Sequence, residues 1–433
     1  MEQSQQANSG NPEGTGSGYV HPQYGDLGVP SSVDTRHHLS QEDSYFEDHP
    51  YMLHLSVTGR CNARCIGCIS SSVSFNEHPS ELQSGDFDVQ PQRDSNAIRQ
   101  LLADRKEDYA VICLYGGEPL LECEKIQQTI DLLSSNPPLP LRYMLYTNGQ
   151  LLDDSIRQYP QLFSRLWLVS VSIDGQSQQH NANRPGTDLN RIHRGLRNLS
   201  QYPTASVLMW STLREGQSLT DCFEEFLYLY EHGLADHWFF HWIGTEKPFQ
   251  DFNRYLQEYE AQLRQVMHIY LEFLSLGRIL SIVHISELVL YLLSGKLRGS
   301  TACGVELGKK YDMAGGKIMA CADLGPQWVF GLVGPDGNPE IQPKELSQLI
   351  AYKNDLGCGS CGVHPYCGGR CPVEGLIASR QRLSEYCQLM RLHVAVVKEY
   401  LPHIQRAMKL QNIDLQRLYD HSAFYAQFTD VTP

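Results

Sequence analysis

Cys61, Cys65 and Cys68 fall within eight residues, CNARCIGC, and bring three thiols onto one loop with no fourth beside them. A cubane iron–sulfur cluster takes a ligand on each of its four irons. Three thiolates can hold such a cluster and leave one iron open to an exogenous ligand. That open corner separates a catalytic cluster from one that only carries electrons.

The chain has thirteen cysteines, an odd number that pairs poorly into disulfides. Cys113, Cys123 and Cys222 lie apart and read as small buried hydrophobes. The other ten are grouped, and metal is the better explanation for them. Beyond the first triplet, Cys303 is followed by twelve residues, Gly316, four residues and Cys321. Cys358-x2-Cys361-x5-Cys367-x3-Cys371 and finally Cys387 complete the set. Cys-x2-Cys pairs also bind structural zinc, but a zinc site closes with four ligands and would strand three of these seven.

These groups need a scaffold. Short apolar runs recur at 52–57, 109–115, 142–147, 167–173, 205–212 and 237–243. Helix-like stretches lie between them at 94–105, 122–134, 150–158, 188–200 and 219–232. Six buried strands alternating with helices predict an α/β fold of parallel units, a partial (β/α)6 TIM-type barrel over 49–248, with working residues at the strands' C-terminal ends. The first cysteine loop directly follows the first strand. A helical connector is expected over 249–298 and a small cysteine-rich domain over 299–390, where weak apolar periodicity leaves metal to replace part of the core. A C-terminal helix near 384–411 closes this domain, and the rest of that helix and a tail make up 391–433. Residues 1–48, rich in Gly, Ser, Gln and Pro, read as a disordered polar tail.

Composition excludes several partners. Lys and Arg number 35 against 49 Asp and Glu, a formal charge of −14, which argues against nucleic acid or an anionic membrane surface. The most apolar region, 267–293, is interrupted by Glu272, Arg278, His284 and Glu287, so it reads as buried helices and not a membrane span. No export signal is visible, and a cytoplasmic location is expected.

Tyr115-Gly116-Gly117-Glu118-Pro119-Leu120 ends the second strand. Its two glycines permit close backbone approach to a ligand, and Pro119 stops the strand. This turn and the cysteine loop together resemble the radical S-adenosylmethionine (radical SAM) superfamily. The resemblance continues through Thr147-Asn148-Gly149, Val171-Ser172-Ile173-Asp174-Gly175 and the stretch from His180 to Thr187. It implies that the amino and carboxylate groups of S-adenosylmethionine chelate the open iron of a 4Fe–4S cluster held by Cys61, Cys65 and Cys68. The backbone of Gly116, Gly117, Glu118 and Pro119 would receive the amino group, and the Gly67 backbone would meet adenine. Ser172 and Arg184 would touch ribose or carboxylate, with Thr147, Asn148 and Asp174 in the same cofactor-binding set. Arginine suits a carboxylate because its planar fork can donate two hydrogen bonds. Read singly, Ser172 and Asp174 are turn caps and Arg184 a solvated charge. Gly67 stands where an aromatic residue is usual, and Asn181 where Asp is usual.

The seven later cysteines and Gly316 resemble the SPASM extension of radical SAM enzymes, which implies two auxiliary iron–sulfur clusters, expected as 4Fe–4S. By that resemblance Cys358, Cys361, Cys367 and Cys387 hold the outer cluster. Cys303, Cys321 and Cys371 hold the inner one, with an open iron or a further ligand such as Asp312 or Glu306. A sulfatase-activating branch carries an Asp directly after the second SPASM cysteine. Here Ala322 takes that place and Asp323 follows, which makes Asp323 the candidate catalytic base, with a turn-forming Asp as the plain alternative.

The resemblance implies a 5′-deoxyadenosyl radical used to modify a ribosomally made precursor peptide oxidatively, by a C–C or thioether cross-link. Radical oxidation of a sulfatase residue, a small alcohol or an amino sugar is an alternative, and a non-catalytic electron-transfer or zinc-binding protein is another. Expected partners are the precursor peptide, a separate leader-recognition protein and an external reductant, flavodoxin or ferredoxin. The aromatic sixth strand, with Trp238, Phe239, Phe240 and Trp242, reads as barrel core or as the floor of a peptide channel.

Overall fold

The structure is a computed structural model. It describes residues 50–69, 87–202, 205–324, 326–342 and 344–429; the polar tail expected over 1–48 lies outside the described residues. Strand β1 (Tyr51–Thr58) is buried along its whole length. That is why it reads as an unbroken apolar run and not as an alternation: a parallel strand is covered on both faces. Helix α1 (Pro91–Leu102) starts with Pro at its first position, where no backbone donor is needed. Asp94 in its first turn accepts the Gln90 N–H at 2.8 Å.

The units then repeat: β2 (Ala110–Gly116), α2 (Cys123–Ser134), β3 (Leu141–Thr147), α3 (Leu152–Gln158), β4 (Leu166–Ser172), α4 (Ser177–Asn183) and α5 (Leu189–Leu199). They finish with β5 (Ser206–Leu213), α6 (Leu219–Glu231) and β6 (His237–Trp242). Asp188 and Ser218 cap α5 and α6 by accepting backbone N–H groups. Strands β1 to β6 are all parallel neighbours in sequence order, so the barrel is partial, as expected. All four aromatic residues of β6 are buried core.

Helices α7 (Phe252–Ser275) and α8 (Val283–Ser294) lead into the cysteine-rich part. This part does not stand apart from the barrel. Strand β7 (Lys310–Ala314) runs parallel to β1, with Met52 opposite Lys310 and His54 opposite Asp312. Strands β8 (Lys317–Met319), β9 (Val329–Val333) and β10 (Pro339–Ile341) follow antiparallel, giving one ten-stranded sheet. Gly315 and Gly316 both take positive φ, 57° and 75°, and turn β7 into β8. The weak periodicity here suggests metal in place of core. Buried Met313 and Ile318 join the barrel's own core.

Helix α9 (Pro372–Ile377) precedes the long α10 (Arg380–Leu410), whose cap Ser379 accepts the Arg382 N–H at 3.2 Å. Helix α10 packs along α7, and Tyr259 meets His393 across that seam at 2.8 Å. The turn 423–428 closes the barrel's other end, where the Tyr146 hydroxyl donates to the Phe428 carbonyl. No helix among the described residues is long and apolar enough to cross a membrane.

Candidate functional site

The Cys61–Cys68 loop leaves the C-terminal end of β1 and is pinned by backbone bonds to the turn after α4. The Arg64 N–H donates to Pro185 O at 2.7 Å and the Ile66 N–H to Asn183 O at 2.9 Å. Gly186 makes this approach possible: φ is +95°, and a Cβ there would lie 2.7 Å from Asn62 O.

The Gly116-Gly117 turn docks on the same loop's root. Gly117 N–H donates to Thr58 O, and Glu118 N–H to Arg60 O, at 2.9 and 2.8 Å. An added Cβ would stand 2.4 Å from Thr58 O at Gly116 and 2.2 Å from Arg60 O at Gly117. The close approach these glycines permit is therefore to the backbone leaving β1 as well as to the cavity they line. Glu118 is buried and points away from that cavity. Its carboxyl accepts the Thr147 hydroxyl and the Asn148 N–H, each at 2.7 Å, and the Leu120 N–H at 3.1 Å. Burial pushes it up to about 7 despite these three donors. Glu118 thus ties the ends of β2 and β3 together. Asn148, so placed, donates to Asn62 Oδ1 at 2.7 Å and lies 3.8 Å from Cys61 Sγ.

Asp174 is a second hub behind the lining. It is fully buried and takes Arg184 through both oxygens, at 2.8 and 3.0 Å. Arg214 Nη1 donates to it at 2.8 Å and the Thr212 N–H at 2.9 Å. Burial opposes its ionisation, but the Arg184 and Arg214 guanidiniums outweigh that and hold the carboxyl well below the usual range. Arg184 Nη1 stands 3.8 Å from Cys65 Sγ. His180 accepts the Asp174 N–H, and burial lowers its imidazole to about 4, keeping it neutral. Asn181 accepts the Leu189 N–H where α5 begins.

A cavity of about 250 Å³ opens at these strand ends. Cys61, Cys65, Cys68 and Gly67 form one side, and Gly116, Gly117, Thr147, Asn148, Ser172 and Arg184 continue around it. Cys303, Cys321, Cys371, Asp312 and Asp323 also line it. Of the sequence-derived cofactor set, Glu118, Pro119 and Asp174 do not line it. Cys358, Cys361, Cys367 and Cys387 gather around a second cavity of about 30 Å³, which Cys371 also borders. Asp312 Oδ1 lies 3.2 Å from His54 Nδ1 within the main cavity wall. Glu306 is instead engaged by Thr301, whose N–H and hydroxyl both donate to it.

Several lining residues escaped the sequence reading: His54, Tyr146, Trp210, His241 and Arg214. Their rings meet edge to face along the barrel interior, Tyr115 to Tyr146 at 5.8 Å, Tyr146 to Trp210 at 5.7 Å and Trp210 to His241 at 5.7 Å. The available signal was position: Tyr146, Trp210 and His241 lie in the C-terminal halves of their strands, and Arg214 just beyond β5.

The donor set suits an iron–sulfur cluster at the first loop. Burial pushes Cys61 up to about 11 and raises Cys65, so neither thiol ionises readily without a metal. The groups aimed at the sulfurs are nevertheless donors: Ala63 N–H at 3.4 Å and the Asn148 amide for Cys61, and the Arg184 guanidinium for Cys65. Such donors favour a coordinated thiolate over a thiol.

Part of the chain is similar in sequence to a radical SAM protein, and most of it is similar in fold to solved structures. A family model described as a 4Fe-4S single cluster domain matches residues 52–193. The radical SAM cyclopropyl synthase TigE of Paramaledivibacter caminithermalis is 26% identical over 143 residues, 31% of this chain and 29% of that protein. The match therefore spans less than a third of the relative's length. The structure of polyhistidine-tagged anSMEcpe with bound AdoMet aligns at a TM-score of 0.63 and 19% identity, covering 86% of this chain and 99% of that one. Native anSMEcpe with bound AdoMet and Cp18Cys peptide aligns at 0.60 and 18%, covering 83% and 98%. The chain shares the fold of these structures across both the barrel and the cysteine-rich part.

Proposed function

We propose that this chain is a radical SAM oxidoreductase that modifies a ribosomally made peptide, forming a C–C or thioether cross-link. The observation that carries this reading is one cavity lined both by Cys61, Cys65 and Cys68 and by Cys303, Cys321 and Cys371. A peptide substrate is supported by the similar fold solved with a bound peptide.

On this reading Cys61, Cys65 and Cys68 hold the 4Fe–4S cluster, and the two later groups hold auxiliary clusters. Cluster and S-adenosylmethionine, when bound, supply a radical that abstracts hydrogen from an unactivated carbon. Arg184 and Ser172, which line the cavity, would meet the cofactor's ribose or carboxylate, while Asn148 steadies the loop at Cys61. The rings of Tyr115, Tyr146 and Trp210 wall off water from the reacting carbon. Asp323, two residues after Cys321 and also lining the cavity, would take the proton released when the substrate is oxidised.

Anaerobically reconstituted protein is expected to carry about twelve irons, one cubane per site. Reduced and given S-adenosylmethionine, it should release 5′-deoxyadenosine. The Cys61→Ala/Cys65→Ala/Cys68→Ala protein should lose that release and keep the remaining iron. Unchanged release from this variant defeats the proposal. Incubation with a precursor peptide, followed by mass spectrometry for the loss of hydrogen, tests the substrate class.

A further inference from the structure

We propose that Arg214 is a positioning residue for the cysteine loop, acting through Ile66 and through the carboxylate it shares with Arg184. This rests on the reading of the loop as a cluster site. Arg214 directly follows β5 and is buried. Its Nε donates to the Ile66 carbonyl at 2.7 Å, between the second and third cysteines of the loop. Its Nη1 donates to Asp174 at 2.8 Å, to Thr212 O at 3.0 Å and to Gln217 at 3.2 Å. The cysteine loop, the Asp174 turn and the end of β5 thus converge on one side chain.

The charge count says why an arginine stands there. Two guanidiniums meet at Asp174, so one positive charge is left over in a buried setting. Buried charge is costly unless it is compensated. The loop this surplus faces is the one that presents three thiols, and Arg184 already reaches Cys65 Sγ. An anionic, thiolate-bound cluster is the partner that balances it. Asp174 then has one task on both arms: it orients Arg184 toward the second cysteine and Arg214 toward the backbone before the third. A neutral residue could make the turn contacts to Thr212 but would neither hold Ile66 through a charged donor nor balance the thiolates.

The test uses the full-length reconstituted protein with Arg214→Gln and Arg214→Lys. Arg214→Gln should keep the auxiliary iron. It should raise KM for S-adenosylmethionine about tenfold, as loss of a charged hydrogen bond implies. It should also alter the EPR signal that the reduced first cluster gives with S-adenosylmethionine. Arg214→Lys keeps the charge but cannot hold Ile66 and Asp174 in one plane, and should fall between wild type and Arg214→Gln in both readouts. A wild-type KM and an unchanged EPR signal in both variants overturn the proposal. Should Arg214→Gln fail to fold, Arg214→Lys decides alone: a wild-type signal and KM in it overturn the proposal. A wild-type protein that shows no S-adenosylmethionine-dependent change in its EPR signal fails the proposed function itself, which is a different outcome.

Discussion

His54 on β1 and Asp312 on β7 stand opposite one another across parallel strands, Nδ1 to Oδ1 at 3.2 Å, and so join the barrel to the cysteine-rich part within the cavity wall. The other Asp312 oxygen accepts the Ala322 N–H, next to Cys321. Asp312→Ala removes both contacts in a buried place and should destabilise the protein by about 2–4 kcal/mol. Asp312→Asn, which can still accept from Ala322, should cost less. Urea unfolding of anaerobically prepared protein measures both, and equal stability of wild type and Asp312→Ala would mean that this pair does not hold the two parts together.

Glu118 makes a comparable link between β2 and β3. All three of its partners are donors, so Glu118→Gln sets an amide N–H against at least one of them. The expected cost is about 1–3 kcal/mol of stability. Asn148 should loosen with it, and S-adenosylmethionine binding should weaken although Glu118 itself lies off the cavity. Equilibrium binding measured beside thermal unfolding checks both effects; tight binding in a destabilised variant would show that Asn148 holds its place alone.

The six barrel strands were legible to within a residue of their ends, because strands buried on both faces are unbroken apolar runs. Strands β7 to β10 were not, since KYDMA and KIM are short and carry charges. Their pairing is decided by the edge that β1 offers. The cysteine groups were plain from spacing alone. Spacing does not say which way a carboxylate points: those of Glu118 and Asp174 lie off the cavity and hold the residues that line it. Arg214 stood out only by its place after β5, because a single arginine after a strand looks like any solvated charge until the fold buries it.

Gly186 offers a sharper test of the loop than the cysteines do, since it binds nothing. With φ at +95° and Asn62 O 2.7 Å from the added methyl, Gly186→Ala is strained twice and should cost about 1–3 kcal/mol. The strain lands on the backbone between Cys61 and Cys65, so iron at the first site should fall while the other iron stays. Gly233→Ala is the control: φ is +64°, but nothing lies within 4 Å of its Cβ. That variant should lose about 1 kcal/mol and no iron. Equal iron loss in the two would remove the special role of the 186 turn.

Stability should also fall in mild acid, in part for a reason remote from the cavity. His237 and His393 are buried, and desolvation lowers each from 6.5 to about 3. His237 Nδ1 meets the Ser281 hydroxyl at 2.8 Å, and His393 Nδ1 meets that of Tyr259 at 2.8 Å. Both stay neutral in the fold and become charged in the unfolded chain below its own imidazole range. The unfolded state therefore binds more protons between pH 6.5 and about 3, and stability is full above that window and is lost as pH falls through it. At pH 5.5 each histidine should contribute a loss of about 1.4 kcal/mol relative to pH 7.5. His393→Gln, which does not titrate, should be less stable at neutral pH but show a shallower decline on acidification. Urea midpoints at about pH 7.5 and 5.5, on either side of the free imidazole range, give the comparison; an identical decline in wild type and variant would place the acid sensitivity elsewhere.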